Sequence, residues 1–407
     1  MNTLERIFSE ENMLAYSNAC LELALDMPEL RETKGFDTLV IPSRGAVPLF
    51  LGMVYALEKL RDCSEVHKEF YENLGVQPML TPLLPECSKI ANSVVGKDFR
   101  VLIIPFTADL NIEKFDSETS NDEYTRKTRE YWANVSAAFF KSQNNRNQDP
   151  YFRSFVDVIL RDIECRDYLA KIYEVFPQIK SFAILDTVVS GRASNDILKA
   201  FDSIAEKESN PNLMPKAFLV VDGNGTRLKP TYSAYLSKKV RDEQACRYSV
   251  PRIVSEDEGV SLLGVSAVIY PSVMRASKKL ELNGREFFVG AGGWYLGSDL
   301  ENVDSAHHET FRRFMNLVYR GIDVKWDGRG YLEEFKKERE NFLIHFGKNS
   351  SSRQEDLDSK SLMLKRRYKP ARWYETSSHV VHISFSESAT REISSKLLGL
   401  PGVSYKK

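Results

Sequence analysis

Apolar runs alternate with amphipathic stretches along most of this chain, and their spacing predicts its elements. Leu14, Leu21, Ala24 and Leu25 recur at helical intervals with the small Ser17 on the same face, so residues 10–30 are expected to form an amphipathic helix. Asp37–Ser43 centres on an apolar run that predicts a buried strand, followed by a helix to Leu60 with Pro48 in its first turn, where a missing N–H costs nothing. Similar runs at Phe99–Asp109, Ser181–Asp186, Ala217–Asp222 and Gly264–Pro271 predict four more strands, and another precedes the glycine-rich turn at 290–297. Helices are expected over Ser120–Lys141, over Tyr151–Phe176 and up to Lys207, with Asn144–Pro150 a break and Lys229–Gln244 a helix over the sheet edge. Strands alternating with helices define an α/β class, a mainly parallel twisted sheet flanked by helices that binds ligands at the carboxyl ends of its strands. Ser43, Asp109, Asp186 and Asp222 all fall at such ends.

The interruptions divide the chain. Glu65–Asp98 is richer in proline and reads as an irregular insertion, and the connection over 110–180 is too long for a structureless loop, which makes it a helical insertion. After Trp326 the texture changes to a charged helix at Glu333–Phe342, a polar linker at Asn349–Lys360, a basic run at Lys365–Trp373 and a strand-like Ser378–Phe385. The expected organisation is an α/β core of 1–109 and 181–325, the insertion 110–180, and an α+β C-terminal extension 326–407.

Composition narrows the partners. The 407 residues carry a net charge of −1, which supplies no general electrostatic drive toward nucleic acid or a membrane. Five scattered cysteines without a CxxC pair suit reduced thiols in a cytoplasm, and neither a leader nor a bilayer-length apolar run is legible. His307 and His308 are adjacent and point to different helix faces, so they make no zinc site with the other histidines.

Candidate chemistry concentrates in two segments. At Ser181–Phe201 a buried strand delivers Asp186 to a small-residue loop, Thr187–Ser194, whose backbone N–H groups and three hydroxyls lead into a helix N-terminus. That combination cradles an anion, and a carboxylate beside it suits a sugar phosphate. At the end of the first strand, Arg44 offers a fork of donors matched to phosphate oxygens and Gly45 lets the backbone close on a ligand. In the insertion, Tyr124–Trp132 interleaves Arg126, Lys127 and Arg129 with aromatics, a pattern that reads foremost as a solvated helix face and alternatively as a reach toward pyrophosphate or a base.

Together, Ser43-Arg44-Gly45-Ala46 and the run from Leu185 through Asp186, Thr187, Val188, Val189, Ser190, Gly191 and Arg192 to Ala193 resemble the pyrophosphate loop and the phosphoribosyl pyrophosphate (PRPP) loop of the type I phosphoribosyltransferase family. The resemblance covers roughly residues 35 to 290 and is strongest at these two segments. It implies that Arg44 and the Gly45 backbone hold pyrophosphate with Mg²⁺, and that Asp186 binds ribose and the metal. Ser190, Gly191, Arg192 and Ser194 would hold the 5′-phosphate, with Ser43, Thr187, Val188, Val189, Ala193 and Asp222 lining the substrate. Asp109 or a cation from the insertion would complete the site. Two departures stand out: Leu185 occupies the first position of the family's acidic pair, and Val189 the position where purine-salvage members carry an Asp.

The implied activity is transfer of a phosphoribosyl group with release of pyrophosphate. The alternative is a non-catalytic or repurposed sensor or effector of the same fold, of the kind found in bacterial conflict systems, including as partners of retrons. The implied partners are a nucleotide or sugar phosphate, a protein bound through the insertion or the extension, and a second copy of the chain. A membrane is not among them, and nucleic acid is disfavoured.

Overall fold

The computed structural model describes residues 3–42, 45–74, 99–104, 118–141, 143–153, 181–256, 277–282, 285–290 and 305–346. Five strands form one sheet: β1 (Thr38–Pro42), β2 (Arg100–Ile104), β3 (Phe182–Val188), β4 (Lys216–Asp222) and β5 (Ala245–Val250). Their spatial order is β2-β1-β3-β4-β5, and every neighbouring pair is parallel. Parallel neighbours require crossovers, which helices supply. Among the described helices these are α3 (Ala46–Leu60) and α4 (Glu65–Leu74) after β1, α5 (Glu118–Phe139) and α6 (Gln143–Gln148) after β2, α7 (Arg192–Lys207) after β3 and α8 (Pro230–Arg241) after β4. Helices α1 (Thr3–Ile7) and α2 (Glu10–Lys34) precede the sheet. An antiparallel hairpin of β6 (Ser277–Leu282) and β7 (Arg285–Gly290), α9 (Ser305–Asp327) and a last helix α10 over 332–346 follow it. The chain is a mixed α/β protein built on a parallel sheet.

Side chains alternate across a strand, so each sheet face has its own core. On one face Leu39, Ile41, Ala183, Leu185, Phe218, Val220, Tyr248 and Val250 join α2, α3, α9 and α10 in a single apolar cluster. Small residues let these helices close on each other. A Cβ on Gly52 would lie 2.5 Å from Cys20 Sγ, and one on Gly321 would lie 2.2 Å from Ser17 Oγ, which itself donates to the Val318 carbonyl at 3.0 Å. Phe8 meets Phe342 edge-on at 4.9 Å, tying α10 to the chain's start. On the opposite face Phe182 packs against Phe140 at 4.3 Å and Phe201 at 4.8 Å, beneath α5 and α7.

Local sequence accounts for the element ends. Helix α2 starts where Ser9 Oγ accepts from Asn12 N and stops at Gly35, whose φ of 68° permits the left-handed cap that returns an N–H to Arg31 O. Three phenols anchor helices to carboxylates: Tyr55 to Asp323 at 2.9 Å, Tyr248 to Asp26 at 3.0 Å and Tyr235 to Asp202 at 2.6 Å. Burial, reinforced by these carboxylates, pushes all three phenol pKa values well above the ordinary range.

Three sequence expectations change. Glu65–Leu74, expected to be irregular, is helix α4; Gln143–Gln148, in the expected break, is the short α6; and the fifth strand of the sheet is Ala245–Val250. The strand expected at Gly264–Pro271, the helix beyond residue 153, the glycine-rich turn, and the linker, basic run and strand-like tail after residue 346 lie outside the described residues. Within the expected insertion, α5 packs along α7 and its end reaches β3.

Candidate functional site

Strand order sets the place. From β1 the chain passes to β2 on one side, while β3 lies on the other, and an open parallel sheet binds its ligands at such a reversal, outside the carboxyl ends of the two strands. Both sequence-marked loops emerge there. Gly45 opens α3 after β1; Ser43, Arg44 and Asp109 lie outside the described residues.

After β3, Asp186 is only 6 % exposed and faces the α5/α7 side. Its Oδ1 accepts from the Thr187 N–H at 2.9 Å and its Oδ2 from Ser194 Oγ at 2.5 Å. Thr187, Val188 and Ser194 are buried, Ser190 and Ala193 half-buried. The chain turns into α7 at Gly191, whose φ of 81° lies in the left-handed region that disfavours a side chain; a Cβ there would also sit 2.3 Å from Leu228 Cδ1. Helix α7 begins without a side-chain cap and without an acidic residue in its first turn. Its first turn therefore opens with the cation Arg192 and offers its leading N–H groups and the positive end of its dipole no acid of its own. That cation lies 4.0 Å from Asp196, one turn further on. The Ser190 carbonyl accepts from Lys229 N at 3.1 Å, fixing the loop to the start of α8.

Two apolar residues of this segment are fixed by packing. Leu185 is fully buried in the α2/α3/α9 core, and Val189 packs against the same cluster. A carboxylate at 185 would enter that core without a partner, which costs several kcal/mol, on the order of 3 or more.

Asp222 ends β4 and is 1 % exposed; it accepts from the Ile253 N–H at 2.5 Å and from Arg227 at 2.6 Å. Ser255 Oγ then donates to the Gly45 carbonyl at 3.1 Å. Residues 251–256 thus form a strap from the end of β4 to the end of β1, with Ile253 and Val254 sunk in the α2/α3/α9 core. The strap lies on the α2/α3/α9 side of the strand ends, and α5 and α7 lie on the other face.

On α5 stands one of the insertion's cations, which the sequence offered to the site only as the alternative to a solvated helix face. Arg129 of α5 has an 11 % exposed side chain and pairs with the equally buried Asp196 of α7 at 2.7 Å. Burial lowers the guanidinium pKa, Asp196 and Asp186 act in the opposite sense, and Arg192 adds to the lowering, so all four charges share one neighbourhood. The signal was in the spacing: Trp132, Ala133 and Ser136, three, four and seven positions on from Arg129, are buried, which puts Arg129 on the inward face of its helix. Arg126 is exposed, and Lys127 is half-buried and paired with Glu130 at 2.9 Å.

Among the described residues no group of three or more His, Cys, Asp or Glu side chains is arranged to hold a metal ion. Asp186 is the only carboxylate within the loop, and both its oxygens already accept hydrogen bonds. These residues do not fit a metal held by the protein alone. Nor is any described helix long and apolar enough to cross a membrane. Compared with family models, curated proteins and solved structures, the chain matches none.

Proposed function

We propose that this chain binds a phosphorylated ribose, PRPP or a related nucleotide or sugar phosphate, at the carboxyl ends of β1 and β3, in the manner of a type I phosphoribosyltransferase. The observation that carries the reading is the start of α7. It offers an uncapped helix N-terminus at the reversal of the sheet, with two arginines beside it and one buried carboxylate fixed across the loop. Amide donors suit the 5′-phosphate, and Asp186 suits ribose hydroxyls. With such a donor the reaction is displacement at the anomeric carbon: an acceptor nucleophile forms the new bond while the C–O bond to pyrophosphate breaks and pyrophosphate leaves with the electron pair. Positive charge develops on the ribose, so a fixed carboxylate favours the transition state and strong base catalysis is not required. Magnesium enters this reading with the ligand's phosphates, as that ion commonly does, with Asp186 as the nearest protein carboxylate.

The second reading, a sensor or effector without turnover, is favoured by one observation. Leu185 and Val189, where catalytic relatives would carry acids, are committed to packing. Calorimetric titration with PRPP, with and without Mg²⁺, followed by assay of the same sample for pyrophosphate, separates the two. Binding with pyrophosphate release supports transfer; binding without release, across an acceptor screen, supports sensing. No binding up to about 1 mM, weaker than about 4 kcal/mol, overturns both.

A further inference from the structure

Building on that reading, we infer that the helical insertion supplies a ligand-binding residue: Arg129 of α5 recognises the phosphate held at the start of α7. Placement is the first argument. The guanidinium reaches Asp196 at 2.7 Å and shares its electrostatic surroundings with Arg192 and Asp186, which flank the α7 N-terminus. The second argument is an incomplete hydrogen-bond inventory. Arg129 uses one N–H on Asp196, while its Nε–H is buried without an acceptor among the described residues. The hydroxyl of Thr128, the preceding residue, is likewise buried without a partner among the described residues, on a residue 2 % exposed. Buried donors are nearly always satisfied, and a guanidinium presents its donors in a planar fork suited to phosphate oxygens. An arginine with a donor that no described residue takes up, beside an uncapped helix start, suits an anionic ligand.

A purely structural Arg129–Asp196 pair makes the opposite forecast, which the test exploits. The full chain is titrated with PRPP and with ribose 5-phosphate in three forms: the parent, Arg129→Gln and Asp196→Asn. Arg129→Gln is expected to bind both ligands at least about ten-fold more weakly, as loss of a charge-assisted contact requires. Asp196→Asn keeps the guanidinium and removes a negative charge from beside the anion, so it should bind no more weakly than the parent. Equal weakening by both variants would show that the pair only joins the helices, and would overturn the inference. If Arg129→Gln fails to fold, the double variant Arg129→Gln/Asp196→Asn leaves no lone buried charge and carries the same expectation. Parent-like affinity in either Arg129 variant removes Arg129 from the site while leaving the proposed ligand intact; absence of PRPP binding to the parent overturns both readings.

Discussion

Leu185 and Asp186 are neighbours on one strand that face different proteins in miniature. Leu185 enters a cluster of apolar side chains shared by α2, α3, α9 and α10, closed by Ser17, Cys20, Gly52 and Gly321. Asp186 faces helices that carry ion pairs at the sheet: Arg129 with Asp196, Lys239 with Asp202, and Lys141 with Asp149 and Glu208. Dense apolar packing dominates one face, while the other holds polar groups at fixed distances, an arrangement that costs desolvation but preorganises charge. The comparison explains why this strand end carries one carboxylate and not two: position 185 belongs to the face that is core.

The largest expected effect follows directly. Leu185→Asp places a second carboxylate before Asp186 and should destabilise the chain by more than about 4 kcal/mol, giving little folded protein by thermal unfolding. A folded variant with stronger Mg²⁺-dependent PRPP binding would break the assignment of the two faces. Next comes the hinge between them. Gly191→Ala must adopt a positive φ and crowd Leu228, so urea unfolding should show a loss of about 2 kcal/mol; a neutral result would mean that the loop relaxes freely.

The smallest effect sharpens the comparison through pH. Tyr55, Tyr235 and Tyr248 have folded-state pKa values raised above the unfolded value near 10. The folded state therefore holds protons that the unfolded state releases, and stability falls as pH rises above about 10, by under about 1 kcal/mol per tyrosine at pH 10.5. Tyr55→Phe should flatten that alkaline slope in urea titrations, and an unchanged slope would remove Tyr55 from the linkage.

How far the sequence spoke depended on the pattern each element carries. Strands buried on both faces, β1, β3 and β4, announce themselves as apolar runs, and α2 carries its own caps in Ser9 and Gly35. Strand β5 is an edge strand in which buried Ala245, Tyr248 and Val250 are interrupted by exposed Arg247 and Ser249, so its run is too broken to stand out. The loop after β3 was legible because small residues, a carboxylate and hydroxyls are rare together at a strand end. Its wiring was not: that Asp222 would anchor Ile253, or that Arg129 would meet Asp196, depends on contacts far apart in sequence. Arg129 had the further disadvantage of company, since Arg126 and Lys127 beside it are partly exposed.

The seam between α2 and α9 bears on how the chain is made. Ser17 waits for the carbonyl of Val318, 301 positions later, before its hydroxyl is satisfied. At roughly 5–20 residues per second, a ribosome needs about 15–60 s to deliver that partner. Throughout that interval the face of α2 that carries Ser17 has no α9 to cover it. A nascent chain exposes the apolar face of this amphipathic helix for that long, and truncation before Val318 should yield aggregates rather than a smaller folded unit.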